Sequence, residues 1–340
     1  MTRSILPAAS FAELRAHIAT LPVADQGAAD AARERQGNLT KPPGSLGRLE
    51  DLAIFMAGWR ATDRPRIVRA QALVFAGNHG ICAQGVNPYP QEVTAQMVGN
   101  FQAGGAAINQ LCRANGADLS VIALDLDRPT ADFTEGPAMT EAEVLDAMAR
   151  GAAAVDPEAD VLVLGEMGIG NSTIAAALAR ALLGGHASDW VGPGTGSDAA
   201  GMSLKARVIE AGILRHRDVL DDPLMVMAAL GGREQAAICG AVLRARELRI
   251  PVILDGFICT AAAAVLHSLG SALDHCLVGH ASAEPGHRRL LAAIGKEPIL
   301  DLGMRLGEGS GAAVALGVLR AALEAHNGMA TFAEAGVSGA

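Results

Sequence analysis

The stretch VLVLGEMGIGNSTIAAAL, residues 161–178, decides the fold. Its opening run is apolar without alternation, which is typical of a strand buried on both faces of a parallel sheet. Glycines follow at Gly165, Gly168 and Gly170, and the polar run 171–173 offers capping chemistry for the Ala-rich helix that comes next. The stretch therefore predicts a buried strand, a glycine turn and a helix, the repeating unit of an α/β sheet.

The same order of strand, glycine turn and helix recurs along the chain. The clearest strand candidates are residues 72–80, 119–126, 160–170 and 250–256, with weaker ones at 224–232 and 275–280. Ala-rich segments of helical length are residues 173–183, 234–248 and 257–269. We therefore expect an α/β fold with a doubly wound, mostly parallel, Rossmann-like sheet, whose ligands bind at the carboxyl ends of the strands.

The two ends of the chain show helical patterns and no convincing strand, unlike its middle. Residues before about 66 form helical patterns interrupted by TKPPGSLGRLE (residues 40–50), and residues after 308 form one buried helix and a Gly- and Ala-rich tail. Chain termini often lie close together in space. We therefore predict a large α/β domain of residues 67–305 and a smaller helical domain of residues 1–66 plus 306–340.

Composition and charge exclude several classes of protein. The formal net charge of −9 argues against a duplex nucleic-acid binder, which needs a basic face. No apolar run is long enough for a membrane span, and the first residues do not resemble a signal peptide. Five scattered cysteines without a C-x-x-C pair are typical of free thiols in a reducing compartment. We expect a cytoplasmic protein with neither a membrane nor a nucleic acid as partner.

The glycine turn of residues 165–173 is a candidate anion site. Free amides and the dipole at a helix start bind phosphate well. The turn lacks the lysine of a Walker A loop and the G-x-G-x-x-G dinucleotide pattern, and an ordinary capped turn is the alternative. Glu166 within it would point into the crevice, where a carboxylate suits ribose hydroxyls better than phosphate. A second glycine loop, around Gly194, precedes a helix carrying Lys205, which is either a phosphate counter-charge or a solvated lysine.

Other residues suggest the wall of a pocket for a flat ring. Tyr89, the only tyrosine, and Gln96 on the following helix would suit a heteroaromatic ligand. Asp255 ends a predicted strand, where it is either a ligand contact or the N-cap of the next helix. The nine histidines show no metal-ligand spacing, so no metal site is predicted.

Glu308 lies in RLGEGSGAAVA, residues 305–315, just before a helix of small apolar residues. The positive end of that helix would favour the charged carboxylate, and burial would raise its pKa. Together these effects could give a carboxylate that accepts a proton near neutral pH, as a general base must.

Seven motifs occurring in order resemble the nicotinate-nucleotide–dimethylbenzimidazole phosphoribosyltransferase family of cobalamin biosynthesis. The motifs are KPPGSLGRLE, NHGI…GVNPYPQEVTAQM, GEMGIGNSTIAAAL, VGPGTG, GGREQAAICG, PVILDGFICTAAA and DLGMRLGEGSGAA, and the resemblance extends from about residue 36 to residue 319. The resemblance implies transfer of phosphoribosyl from nicotinate mononucleotide to 5,6-dimethylbenzimidazole, giving α-ribazole 5′-phosphate and nicotinate by one inverting displacement. It also implies a homodimer, with KPPGSLGRLE at the contact, and no cofactor.

The resemblance further implies a role for each matching residue. Glu308 would be the base that takes the benzimidazole proton. The phosphate and ribose would be held by Glu166, Gly168, Ile169, Gly170, Asn171, Gly194 and Lys205. The benzimidazole would lie against Tyr89, Gln96, Met167 and Leu306. Two alternatives remain: the same chemistry on adenine, another benzimidazole or a phenol, and a non-catalytic nucleotide-binding protein of the same fold.

Overall fold

The protein is described by a computed structural model that covers residues 6–338. Its strands, within those residues, are β1 (Ala70–Ala76), β2 (Ala117–Ala123), β3 (Val161–Met167), β4 (Val252–Leu254), β5 (Cys276–His280) and β6 (Pro298–Leu300). They form one sheet in the order β2-β1-β3-β4-β5-β6, and every pairing is parallel. The predicted parallel α/β sheet is therefore confirmed.

The α-helices connect the strands and extend both ends of the chain. They are α1 (Phe11–Ile18), α2 (Gln26–Asn38), α3 (Arg48–Arg60), α4 (Glu92–Gln102), α5 (Ala107–Asn115), α6 (Glu141–Ala153), α7 (Asn171–Leu183), α8 (Ala199–Arg215), α9 (Pro223–Leu230), α10 (Arg233–Glu247), α11 (Phe257–His267), α12 (Gly286–Ala293), α13 (Ser310–Gly328) and α14 (Phe332–Ala335). None of these helices of the described chain has the length and apolar character to cross a bilayer.

The sheet is doubly wound, with a core on each face. On β3, Leu162 and Leu164 belong to a core that includes residues of α6, α7, α10 and α11. Val161 and Val163 point the other way, into a core shared with α3, α5 and α13. The strand order reverses beside β1, since β2 lies on one side of it and β3 on the other. Such a reversal opens a crevice at the carboxyl ends of the strands.

One predicted strand is wrong, and one strand was not predicted. Residues 224–232 fall largely on α9, which begins at Pro223 and is capped by the side chain of Asp222. A short apolar run fits a buried helix as well as a buried strand, and the Asp-Pro pair was the signal that separates them. The unpredicted β6 has only three residues, all half-buried. The other predicted strands and helices are confirmed.

The two chain ends meet in space. Helix α2 packs on α3, and α3 packs on α13. Leu39 forms an isolated antiparallel bridge with Thr331, and the Arg35 guanidinium donates to carbonyls at the end of α13. Helix α13 also packs on β3, β4, β5 and β6, so it belongs to the core of the sheet as well. A separate helical domain stays a prediction, and residues 1–5 and 339–340 of it lie outside the described chain.

Helices α6 and α10 approach so closely that two glycines are required. A Cβ added at Gly240 would lie 1.9 Å from the carbonyl oxygen of Met148, and one at Gly151 would lie 1.9 Å from that of Ala237. We expect Gly240→Ala to destabilise the fold by about 3 kcal/mol, because the helix backbones must separate. Chemical denaturation measures this change in the free energy of unfolding.

Gly37→Ala is the matched control. Gly37 lies on the exposed side of α2, and an added Cβ there would have no neighbour within 4 Å. We expect it to stabilise the protein by about 0.5–1 kcal/mol through helix propensity. Equal effects of the two substitutions would contradict the packing argument.

Candidate active site

A cavity of about 690 Å³ opens at the carboxyl ends of β3, β4 and β5. It is closed on the other sides by the segment after β1, the glycine loop around Gly194 and the segment that leads into α13. Every predicted site residue except Gln96 lines this cavity. The doubly wound sheet therefore brings residues from four separate stretches of sequence to one place.

Glu308 sits on an unusual turn at the entrance to α13. Three successive residues, Gly307, Glu308 and Gly309, have φ values of 84°, 65° and 85°. For a residue with a side chain this left-handed conformation is unfavourable. The turn also lies directly on β3, since a Cβ at Gly165 would be 2.4 Å from the nitrogen of Gly309. Gly165 thus allows the turn to rest on the strand end.

The Glu308 carboxyl group is nearly buried yet incompletely paired. It accepts a hydrogen bond from the backbone N–H of Ile108, near the start of α5. Its Oε2 atom is buried and has no hydrogen-bond partner within residues 6–338. Burial raises the pKa of Glu308, the nearby Asp255 raises it further, and the Ile108 amide opposes both. Such a carboxyl group can accept a proton at a higher pH than an exposed one.

A second carboxyl group, Glu166, lies beside this turn. A Cβ at Gly307 would be 2.6 Å from Glu166 Oε1, and the side chain of Asn171 donates to Glu166 Oε2. Burial, followed by the charge of Asp255, raises the pKa of Glu166 to about 8. The Asn171 amide is therefore used to orient Glu166.

The far end of the cavity has the features of an anion site. Lys205 is buried, and its Nζ lies 3.4 Å from both Ser172 Oγ and the carbonyl oxygen of Gly192. Gly170, the N-cap residue of α7, has a φ of 90° and no side chain to cap the helix. A Cβ at Gly194 would be 3.1 Å from Lys205 Nζ. A buried ammonium group thus faces an uncapped helix start, a combination suited to phosphate.

Two further charged groups border this anion site. Glu284 Oε1 accepts the N–H of Gly194 at 3.1 Å, and Arg305 Nη1 donates to the carbonyl oxygen of Gly194 at 2.8 Å. Burial lowers the pKa of Lys205, and the charge of Glu284 opposes that effect. Neither Glu284 nor Arg305 was predicted. Glu284 follows β5, which was only weakly predicted, and Arg305 follows the unpredicted β6, so no sequence pattern pointed to their position.

The remaining wall is apolar. Val93, Met97 and Met167 line it, and Tyr89 and Leu306, respectively 50% and 58% exposed, stand at its mouth.

The structure does not bring Gln96 to this wall. Val93 and Met97, four residues apart on α4, line the cavity, whereas Gln96 is exposed and does not line it.

Of the two alternatives for Asp255, the N-cap of the next helix is wrong. Asp255 does not cap the helix that follows it, because α11 has Gly256 as its N-cap. Its carboxylate instead accepts from backbone amides at the start of α13. Within residues 6–338, no group of three or more His, Cys, Asp or Glu side chains is placed to hold a metal ion.

Comparisons with known proteins show which family the chain resembles. A family model described as Phosphoribosyltransferase matches residues 21–337. The nicotinate-nucleotide–dimethylbenzimidazole phosphoribosyltransferase of Rhodobacter capsulatus is 64% identical over 330 residues, 97% of this chain and 98% of that protein. The enzyme of the same name from Novosphingobium aromaticivorans is 60% identical over 331 residues, with 97% and 98% coverage.

A solved structure gives the same result. The crystal structure of the Thermus thermophilus enzyme of that name superposes with a TM-score of 0.85 at 40% identity, covering 93% of this chain and 100% of that one. Because the family model and these relatives span nearly the whole chain, the resemblance inferred from the sequence motifs is confirmed. The chain belongs to the nicotinate-nucleotide–dimethylbenzimidazole phosphoribosyltransferase family of enzymes.

Proposed function

We propose that this enzyme transfers the 5-phosphoribosyl group of nicotinate mononucleotide to 5,6-dimethylbenzimidazole in cobalamin biosynthesis, with Glu308 as general base. The observation that carries the proposal is the buried Oε2 of Glu308, which has no hydrogen-bond partner among the described residues and belongs to the same cavity as the buried ammonium group of Lys205. A proton acceptor and an anion site at two ends of one cavity are what this reaction requires.

The donor would lie with its phosphate at the start of α7. Lys205, Ser172 and the backbone of the Gly168–Gly170 turn would hold it, and they line the cavity together with Ile169 and Gly194. Glu166 would then meet the ribose hydroxyls, since it contacts Asn171 at the start of α7 and also lies beside Gly307, the neighbour of Glu308. The acceptor ring would occupy the apolar wall of Met97, Met167, Leu306 and Tyr89.

In the chemical step, one ring nitrogen of the benzimidazole attacks C1′ of the ribose while Glu308 takes the proton from the other ring nitrogen. The bond from C1′ to the pyridinium nitrogen breaks, and its electron pair leaves with nicotinate. A single displacement converts the β-linked donor into an α-linked product. The leaving ring is cationic before the step, so the departing nitrogen needs no proton from the enzyme.

The direct test is to incubate the enzyme with nicotinate mononucleotide and a panel of bases that includes dimethylbenzimidazole, adenine and a phenol. We expect release of nicotinate in equal amount with an α-linked nucleotide, identified by NMR, and the highest kcat/KM with dimethylbenzimidazole. A β-linked product would contradict a single displacement. A higher kcat/KM with adenine or a phenol would assign the site to a different base, and no product with any of them would favour a non-catalytic nucleotide-binding protein.

We also propose that the protein acts as a homodimer in the cytoplasm. The half-exposed Tyr89 and Leu306 at the mouth of the cavity, together with Leu302, are large apolar side chains that a partner subunit would cover. Light scattering on the purified protein measures the mass: twice the 34.7 kDa of the chain is expected, and a mass of one chain would contradict the dimer.

A further inference from the structure

We propose that Asp255 is a positioning residue, which holds the backbone turn that carries Glu308 in the place where Glu308 reaches the acceptor base. This inference rests on the proposed function, because it assigns Asp255 a role relative to the base in that reaction.

The carboxylate of Asp255 is bonded to the start of a distant helix. Asp255 follows β4 and is fully buried. Its Oδ2 accepts the N–H of Gly309 at 3.1 Å, and its Oδ1 accepts the N–H of Ala312 at 2.9 Å. Gly309 is the residue next to Glu308, so one of the two bonds acts directly on the turn that aims the base.

The turn needs such support because its conformation is unfavourable. Glu308 has a φ of 65° between two glycines that also have positive φ. A conformation of this kind costs about 1–3 kcal/mol and persists only where the surroundings impose it. The turn packs against the Cα of Gly165, which has no side chain to obstruct it, and Asp255 accepts the hydrogen bond from Gly309. Without the hydrogen bond between Gly309 and Asp255, the Glu308 side chain would be free to leave its position.

Asp255 also sets the charge around the base. Two other titratable groups lie near Asp255 and Glu308. Glu166 stands at the end of β3, and His280 stands at the end of β5, with its Nε2 3.5 Å from Asp255 Oδ1. Burial raises the pKa of Asp255, while His280 and the backbone amides of α13 favour its charged form. The negative charge of Asp255 in turn raises the pKa of Glu308. Removing that charge would therefore lower the pH at which Glu308 becomes protonated.

The test is the pH dependence of kcat in Asp255→Asn. Asparagine keeps the size of the side chain but offers one acceptor oxygen and no charge. We expect kcat to fall by about 10²-fold, because misplacing a reacting group has effects of that size. We also expect the acidic limb of the kcat profile to move to lower pH, while the KM for nicotinate mononucleotide changes by less than about threefold. A residue with a purely structural role would not move the limb.

The matched control is Glu234→Gln, which also removes a fully buried carboxylate, and one that does not act on Glu308. We expect its acidic limb to coincide with that of the wild-type enzyme. Asp255→Ser, likewise neutral, is the second variant should Asp255→Asn fail to fold. An unshifted limb with unchanged kcat would overturn the inference, as would the failure of both variants to fold, since Asp255 would then be a folding determinant.

This outcome can be told apart from failure of the proposed function. Normal kcat in Glu308→Gln would reject the base itself, whatever Asp255 does. Loss of kcat in Glu308→Gln together with wild-type behaviour in Asp255→Asn would reject only the positioning role.

Discussion

Glu308→Gln is expected to lower kcat by about 10³-fold, because the amide cannot accept the proton of the acceptor base and general base catalysis is worth about 10²–10⁴-fold. Glutamine has the size of glutamate, and its carbonyl oxygen can still accept the N–H of Ile108. The fold and the anion site should therefore be unchanged. Steady-state kinetics give kcat, and calorimetry should show a Kd for nicotinate mononucleotide within about threefold of the wild type.

The control for this substitution is Glu297→Gln, the same change on a side chain that is 81% exposed and lies outside the cavity. Its kcat should equal that of the wild-type enzyme. A turnover of Glu308→Gln within tenfold of the wild type would reject Glu308 as the base and direct attention to Glu166, a carboxyl group beside the same turn whose pKa burial raises to about 8.

Lys205→Ala is expected to raise the KM for nicotinate mononucleotide by about 10–100-fold, since a hydrogen bond to a charged group is worth about 1.5–3 kcal/mol. The effect should be on the donor because Lys205 lies by Ser172 and Gly192, away from the turn that carries Glu308. The acidic limb of the kcat profile should not move. Initial rates at varied donor concentration and pH measure both.

Lys205→Met separates charge from volume in this experiment. Lys205 is only 3% exposed, so alanine also leaves a void, which methionine largely fills. We expect both variants to raise the donor KM, with kcat less affected. A normal KM in Lys205→Met would mean that the ammonium group does not bind the phosphate and that the alanine effect comes from packing.

The strands and helices near the site could be predicted from sequence because their signals are local. The β3 unit shows a continuous apolar run, then glycines, then an Ala-rich run of helical length, and all three signals agree within 18 residues. Where local signals conflicted, the prediction failed: residues 224–232 are apolar enough for a strand, but Asp222 and Pro223 start a helix. The three-residue β6 has too few residues for a pattern.

The site was predictable only where a motif is contiguous. Glu308 stands out among glycines, and Glu166 ends a strand that could be recognised. The bond between Asp255 and Gly309 joins residues 54 positions apart, and no local pattern reveals such a contact. Gln96 was expected to line the cavity because it lies three residues after Val93, on the same face of α4. The sequence does not show which residues of that face reach the cavity: Val93 and Met97 do, and Gln96 is exposed.

The most direct test of the central claim is a crystal structure of the Glu308→Gln variant with nicotinate mononucleotide and dimethylbenzimidazole bound. We expect the side-chain oxygen of residue 308 within about 2.6–3.2 Å of one ring nitrogen of the base, with the other ring nitrogen facing C1′ of the ribose. The donor phosphate should lie against Lys205. A benzimidazole ring whose nitrogens both lie beyond reach of residue 308, with no water between them, would contradict the account.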